Sequence, residues 1–231
     1  MILPAIVLAA GVGSRLRPLT ERFAKPLLPI DGRPVLALLL RELAEAGCVS
    51  VTLVTGYLAE QVERFAGDGS AFGLSLSTAR QAGPHGSADA VVAARATPPY
   101  LVLGADTVFA SGEIGRFLRA FEHSDAVGAI AVRRCANADP GRNGVGVIDG
   151  LVERVHATGS SFAGAPLWAV GAAVAAVIET LPGERPFELA TAFQQAIDAG
   201  ERVAAIEIEP TRDLTAPIDL LLENFLYLSS L

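Results

Sequence analysis

The chain has 231 residues, of which 51% are hydrophobic, 19% charged and 6% aromatic, with a mean hydropathy of +0.43 and a formal net charge of −7. That length suits one large α/β domain or at most two small ones, and the apolar content, mostly Ala, Val and Leu, excludes a disordered chain. The acidic balance disfavours nonspecific binding to nucleic acid polymers, so an anionic ligand must meet a local basic patch or a metal ion.

Pro4 to Ala9 reads as a buried strand that runs into a glycine-rich loop. Met1 to Ala10 has no basic flank, and its apolar run is too short for a secretory signal, so a cytoplasmic protein is expected. Pro34 to Ala46 carries Leu36, Leu39, Leu40 and Leu43 at helical spacing, with Pro34 near the first turn and Gly47 past the end. The spacing then predicts a strand over Val49–Val54, a helix over Leu58–Phe65 and a strand over Leu74–Thr78. A helix over Ser87–Arg95, a strand over Tyr100–Leu103, a helix over Ile114–Phe121 and a strand over Val127–Val132 complete the first half. Strands alternating with helices predict a doubly wound, mainly parallel sheet of Rossmann-like α/β type.

The pattern changes after Arg133. Asn137 to Asn143 is turn-rich, and Val145–Ile148 with Leu151–Val155 predicts a hairpin around Asp149-Gly150. Leu167–Val170 reads as a strand, Val174–Leu181 and Phe187–Ala199 as helices, Val203–Ile208 as a strand and Ile218–Leu228 as a closing helix. The apolar run Ala163 to Ile178 falls short of the ~18–20 residues that span a bilayer and contains Pro166, so no membrane association is expected. With no internal repeat or linker, residues 1–231 are expected to form one domain. Its first part ends near residue 133, and residues 134–231 form a second part around an inserted hairpin lobe.

Cys48 and Cys135 are far apart and share no metal-ligand spacing, and the three histidines are scattered. Two reduced thiols and no structural zinc are expected. One basic patch stands out. Between Gly11 and Arg33, five basic residues (Arg15, Arg17, Arg22, Lys25, Arg33) face two acids (Glu21, Asp31), a local balance of five minus two, or +3. Lys25 is the only lysine among 18 basic residues, which points to a site that wants a compact ammonium.

Leu8-Ala9-Ala10-Gly11-Val12-Gly13-Ser14-Arg15 follows the first strand directly. Two glycines let backbone N–H groups approach an anion, and Arg15 adds a two-pronged contact. Leu16 stands where a dinucleotide-binding loop needs its third glycine, and the G-K-[ST] of a P-loop is missing. From these residues alone the loop is an anion site or a tight turn.

The string from Leu8 to Leu36 resembles the opening of the sugar-1-phosphate nucleotidyltransferases, also called nucleotide-sugar pyrophosphorylases. The family signature combines A-A-G-x-G-x-R-L-x-P-x-T with K-P-L-L-P-I-x-G-x-P; here it reads AAGVGSRLRPLT and KPLLPIDGRP. Gln81 to Ala90 aligns with the family's base-binding segment Q-x-x-P-x-G-x-A-x-A. Leu103-Gly104-Ala105-Asp106 resembles the G-D motif, whose aspartate binds Mg²⁺, and Arg212 to Leu220 resembles W-x-D-[IV]-G-T-P-E-D-L. Asn143-Gly144-Val145 stands where the family has Y-G-V, and Phe162-Ala163-Gly164 at its later glycine-containing loop.

The resemblance implies the family's nucleotidyltransferase fold with a sugar-binding hairpin lobe, of the compact bacterial type, since the long C-terminal extensions of larger members are missing. It implies a Mg²⁺-dependent enzyme that joins a nucleoside triphosphate to a sugar 1-phosphate, giving a nucleoside-diphosphate sugar and pyrophosphate. Arg15 and Lys25 would be catalytic. Ala10, Gly11, Gly13, Ser14, Arg15, Gln81, Gly86 and Ser87 would bind the nucleotide, Asp106 and Asp213 the metal, and Gly144, Gly164 and Glu188 the acceptor. Read without the resemblance, Asp213 has the alternative of an acid stabilised at a helix N-terminus, and Gln81 that of a residue in a glycine-capped loop before a helix. Two departures matter. Thr215 and Ala216 replace the glycine and threonine of the last motif, and no lysine stands near His156-Ala157-Thr158, where the family's E-K-P lysine touches the sugar phosphate. The second departure leaves room for another phosphomonoester acceptor, such as phosphocholine or a heptose phosphate. A non-catalytic nucleotide-sugar-binding regulator is the alternative of a different class.

Overall fold

The computed structural model describes residues 2–135, 144–180 and 186–225; the turn-rich run 137–143 and the last residues of the predicted closing helix lie outside these. In chain order the elements are β1 (Ala5–Ala9), β2 (Pro29–Ile30), β3 (Arg33–Pro34), α1 (Val35–Glu45), β4 (Ser50–Thr55), α2 (Ala59–Ala66), β5 (Ser75–Arg80) and α3 (Ser87–Ala94). There follow β6 (Tyr100–Gly104), β7 (Thr107–Val108), α4 (Glu113–Glu122), β8 (Gly128–Arg134), β9 (Val145–Ile148) and β10 (Leu151–Val155). The last are β11 (Phe162–Val170), α5 (Ala172–Glu179), α6 (Leu189–Asp198), β12 (Val203–Glu207), β13 (Arg212–Asp213) and α7 (Pro217–Asn224).

A nine-stranded sheet with order β5-β4-β1-β6-β11-β8-β12-β10-β9 forms the centre. Only β11 and β10 run against the other strands. β1 and β6 are buried on both faces, as near-continuous apolar runs in a covered parallel sheet must be. Alternation along β1 still sorts side chains by face. Ala5, Val7 and Ala9 pack with Leu36, Leu40 and Leu43 of α1, Val62 of α2 and Phe117 of α4. Ile6 packs on the other side with Val91 of α3, Val174 of α5 and Phe193 of α6. Helices cover both faces, which is the doubly wound α/β architecture the alternating pattern predicts.

Two departures come from the second half. β11 begins at Phe162, five residues before the predicted strand, and its register against β8 shifts between Gly164 and Trp168. Pro166 inside that stretch cannot donate to a ladder, so the strand bulges there and the sequence alternation is lost. The hairpin of β9 and β10 turns on Asp149 and Gly150, both with positive φ (49° and 77°), as its Asp-Gly pair predicts. It is an edge of the main sheet, joined to β12 through Leu151 and Ala204, rather than a separate body.

After β12 the chain crosses back to the first half. Ile208 N–H donates to the Val132 carbonyl (2.8 Å), and Glu209 N–H donates to the buried Glu113 carboxylate, whose partner Arg116 holds its carboxyl below the usual range. β13 then pairs antiparallel with β7, Arg212 opposite Val108 and Asp213 opposite Thr107. Arg212 fixes this position: its two Nη groups grip both oxygens of Asp31, and Nε donates to Glu223 on α7. Asn224 adds bonds to Gly32 N–H and to the Pro29 carbonyl, both 2.8 Å. No helix among the described residues is long and apolar enough to cross a membrane.

The Arg212 guanidinium holds the Asp31 carboxyl below its ordinary value of 3.8. A lowered carboxylate stabilises the fold above that value, and the contribution is lost as pH falls through the folded-state value. This pair is largely exposed, so it is worth about 0.2–1 kcal/mol. Asp31→Asn should therefore lower the melting temperature at pH 7 by about 1–4 °C. The gap to the unmodified chain should close below pH 3.8 in a thermal-melt series; a constant gap across pH would contradict the assignment.

Candidate active site

In an open α/β sheet, ligands gather beyond the carboxyl ends of the parallel strands. Here the chain beyond the ends of β1 and β6, with the end of β8, brings Arg15, Asp106 and Arg133 to one cavity of about 380 Å³, while Ala10, Gly11, Gly13 and Ser14 of the glycine loop are not part of its lining. Among the described residues the lining carries Arg15, Lys25 and Arg133 against Asp106 and Asp213, three positive charges minus two negative, a cationic balance in an acidic protein.

The loop and Lys25 form one unit. Gly13 has φ +66°, and a Cβ there would sit 3.0 Å from Thr20 Cγ2 and 3.2 Å from Lys25 Cβ. Only glycine lets the backbone turn this way with Lys25 folded against it. Thr20 Oγ1 donates to the Gly13 carbonyl (3.0 Å), closing the wrap. Leu16, at the position where a dinucleotide loop would have glycine, is 1% exposed and packs with Leu28, Ile30, Val35 and Leu214. Arg15 and Asp213 thus adjoin two members of one apolar cluster. At Gly11 a Cβ would meet nothing within 4 Å.

Lys25 Nζ pairs with Asp106 Oδ2. Asp213 is held from both sides: Oδ1 accepts from Thr107 Oγ1 (2.6 Å), while Oδ2 accepts from Thr211 Oγ1 (2.9 Å) and Arg133 Nη1 (3.0 Å). Because Asp213 lies opposite Thr107 in the β13–β7 pair, it is delivered beside Asp106. No group of three or more His, Cys, Asp or Glu suited to a metal occurs among the described residues. Two carboxylates without nitrogen or sulfur ligands suit Mg²⁺, a hard cation that takes one or two carboxylates and completes its shell with water and substrate phosphates. They do not suit zinc.

Of the acceptor residues, Gly144 and Gly164 line the same cavity, with His156 and Trp168 beside them. Gly144 bridges Ala163, and its carbonyl accepts from Ala157 N–H (2.8 Å). Asn143 lies outside the described residues. Gln81, Gly86, Ser87 and Glu188 form a separate strip that is not part of this lining. Gln81 Nε2 donates to the Gly86 carbonyl (2.9 Å) and to Asp89 (3.1 Å). Ser87 Oγ donates to Glu188 (2.6 Å) and accepts from Leu189 N–H (2.8 Å), so Glu188 joins the starts of α3 and α6. Gly86 is backed against the chain at Phe187: φ is +99°, and a Cβ would lie 2.2 Å from the Phe187 carbonyl oxygen.

Sequence reasoning missed Arg133, Thr107, Thr211 and Trp168. Thr107 follows Asp106 directly and is 1% exposed, a signal that only the structure makes legible. Arg133 lies outside the stretch in which basic residues cluster. Cys48 and Cys135 are free, and burial pushes the Cys48 thiol up to about 11, which fits an inert reduced thiol.

The family model described as nucleotidyl transferase matches residues 4–158. The chain is 33% identical over 222 residues to the glucose-1-phosphate thymidylyltransferase of Streptomyces antibioticus, covering 89% of this chain and 60% of that protein. It is 30% identical over 243 residues to the mannose-1-phosphate guanylyltransferase catalytic subunit beta of Drosophila pseudoobscura pseudoobscura, covering 98% and 63%. The chain thus spans about 60% of the length of these curated relatives. A UDP-glucose pyrophosphorylase solved with UDP-glucose superposes with a TM-score of 0.82 at 18% identity, covering 100% of both chains, a likeness of fold.

Gly86→Ala is expected to cost about 2–3 kcal/mol, since it combines a left-handed backbone with a backbone clash. That corresponds to a fall of roughly 4–12 °C in melting temperature by calorimetry, where an unchanged value would show that the 86–187 approach is not held in solution.

Proposed function

The chain belongs to the nucleotidyl transferase family, and we propose that within it the chain joins a nucleoside triphosphate to a sugar 1-phosphate, giving a nucleoside-diphosphate sugar and pyrophosphate. The observation that carries this reading is the convergence on one cavity of Arg15, Lys25, Asp106 and Asp213, drawn from three distant stretches of sequence.

A phosphate oxygen of the acceptor attacks the α-phosphorus in line. A new P–O bond forms, the α–β bridging P–O bond breaks, and its electrons leave on pyrophosphate. The attacking oxygen is already ionised at neutral pH, so no general base is needed. The obstacle is the meeting of two polyanions, and catalysis reduces to positioning and charge neutralisation. Arg15 and Lys25 supply fixed positive charge at the triphosphate. Asp106 and Asp213 would hold Mg²⁺, which when bound supplies further neutralisation of phosphate charge. Ala10, Gly11, Gly13 and Ser14 offer backbone to the phosphates, and Gln81, Gly86 and Ser87 form the strip against which the base is read. On this reading the part up to about residue 133 serves the nucleotide and the rest the acceptor, except that Asp213 returns to the metal and Arg133, at the boundary, contacts both Asp213 and Gly164.

A sugar phosphate suits the acceptor wall better than phosphocholine does. Among the described residues Trp168 is the only Trp, Tyr or Phe in the lining, and the Arg133 cation lines the same cavity, so a quaternary ammonium finds no cage of several such rings there. On this reading the enzyme is cytoplasmic.

Lys25→Ala and Asp106→Asn should each cut turnover at least ~100-fold, the usual loss when one preorganised charge contact is removed. Pyrophosphate release measured with glucose 1-phosphate, mannose 1-phosphate and a set of nucleoside triphosphates tests this, with circular dichroism to show that each variant folds. Near-normal release by either variant would remove that residue from the catalytic set, and no release by the unmodified protein from any pair would overturn the reaction.

A further inference from the structure

The reaction proposed above brings two phosphorylated substrates together, and this inference rests on that reading. Lys25 is the only lysine in the chain, and it is paired with Asp106 on the nucleotide side. No lysine is therefore left for the acceptor phosphate. Among the described residues the cavity is lined by three permanent cations, Arg15, Lys25 and Arg133, and the first two belong to the loop unit at the end of β1. Arg133 comes from the other side.

We propose that Arg133 is the residue that binds the phosphate of the acceptor. Its backbone pairs with Ala163 of β11, and Ala163 in turn bridges Gly144, so Arg133 shares a rung with the acceptor wall. Its side chain is 22% exposed and is oriented at both ends. Nη1 donates to Asp213 (3.0 Å) and to Thr211 Oγ1, and Nη2 reaches toward the Gly164 carbonyl (3.5 Å). The guanidinium therefore spans the gap between a metal-side carboxylate and the acceptor strand. A planar fork held in this way meets a phosphate with two parallel N–H donors and loses little freedom on doing so. The position is also apt for the chemistry: an acceptor phosphate held there lies next to the carboxylates at which the triphosphate is gathered. Arg133 does no proton transfer; it neutralises and aims the nucleophile.

A purely structural role is the rival: Arg133 could serve only to orient Asp213. The two roles separate in kinetics. Arg133→Met should raise the acceptor KM about 10- to 100-fold, the usual effect of losing a charge-assisted hydrogen bond, while the nucleoside triphosphate KM moves less than about threefold. Arg133→Lys, which keeps the charge but loses the fork, should fall between. Calorimetric titration of glucose 1-phosphate and mannose 1-phosphate into the unmodified protein and the two variants gives a readout independent of turnover, with the same order of weakening expected. If the triphosphate KM rises as much as the acceptor KM, or the acceptor binds Arg133→Met as well as the unmodified protein, the assignment is overturned. Should the unmodified protein bind a sugar phosphate but release no pyrophosphate, the reaction fails while the titration still decides the role of Arg133.

Discussion

Everything in the cavity depends on the return of β13 to β7. Two residue pairs, Arg212 with Val108 and Asp213 with Thr107, carry a carboxylate across 106 positions of sequence and set it beside Asp106. So short a ladder contributes little on its own. It is held by what surrounds it: the Arg212 fork on Asp31 and Glu223, the Glu113 bond to Glu209 N–H, and Leu214 in the cluster with Leu16. That frame, and not the ladder alone, holds Asp213 at Thr107.

The charges in the site are arranged so that none is buried without a partner. Lys25 meets Asp106, and Asp213 meets Arg133 with two hydroxyls completing its oxygens. Among the described residues no buried side-chain nitrogen or oxygen lacks a hydrogen-bond partner. A low-dielectric cavity makes an unpaired charge costly, so pairing keeps the protein stable while the cationic excess remains available to phosphates. Both pairs line the cavity and lie outside the sheet core.

Local features were legible from sequence, and relations between distant segments were not. The alternation of strand and helix, the Asp-Gly hairpin and the glycine loop each rest on neighbours within a few residues, where propensity and turn chemistry decide. The resemblance to the nucleotidyltransferases supplied Asp213, which spacing alone would have left as an acid near a helix start. Arg133 was invisible because its partners lie 31 to 80 positions away. The early start of β11 was hidden by Pro166, which breaks the alternation that would announce a strand. Glu188, expected near the acceptor, is engaged by Ser87, a contact across 101 positions that no local pattern encodes.

Leu16 and Leu214 have a consequence for how such a site can be altered by substitution. Each is a fully apolar residue with no chemistry to perform, yet one adjoins Arg15 and the other Asp213, and they pack in the same small cluster. Close-packed interiors transmit strain rather than absorb it. A change of one methylene at either leucine would shift Arg15 and Asp213 together. The two sides of the cavity are thereby geared to one another, and their spacing can be retuned through a side chain that does not line it.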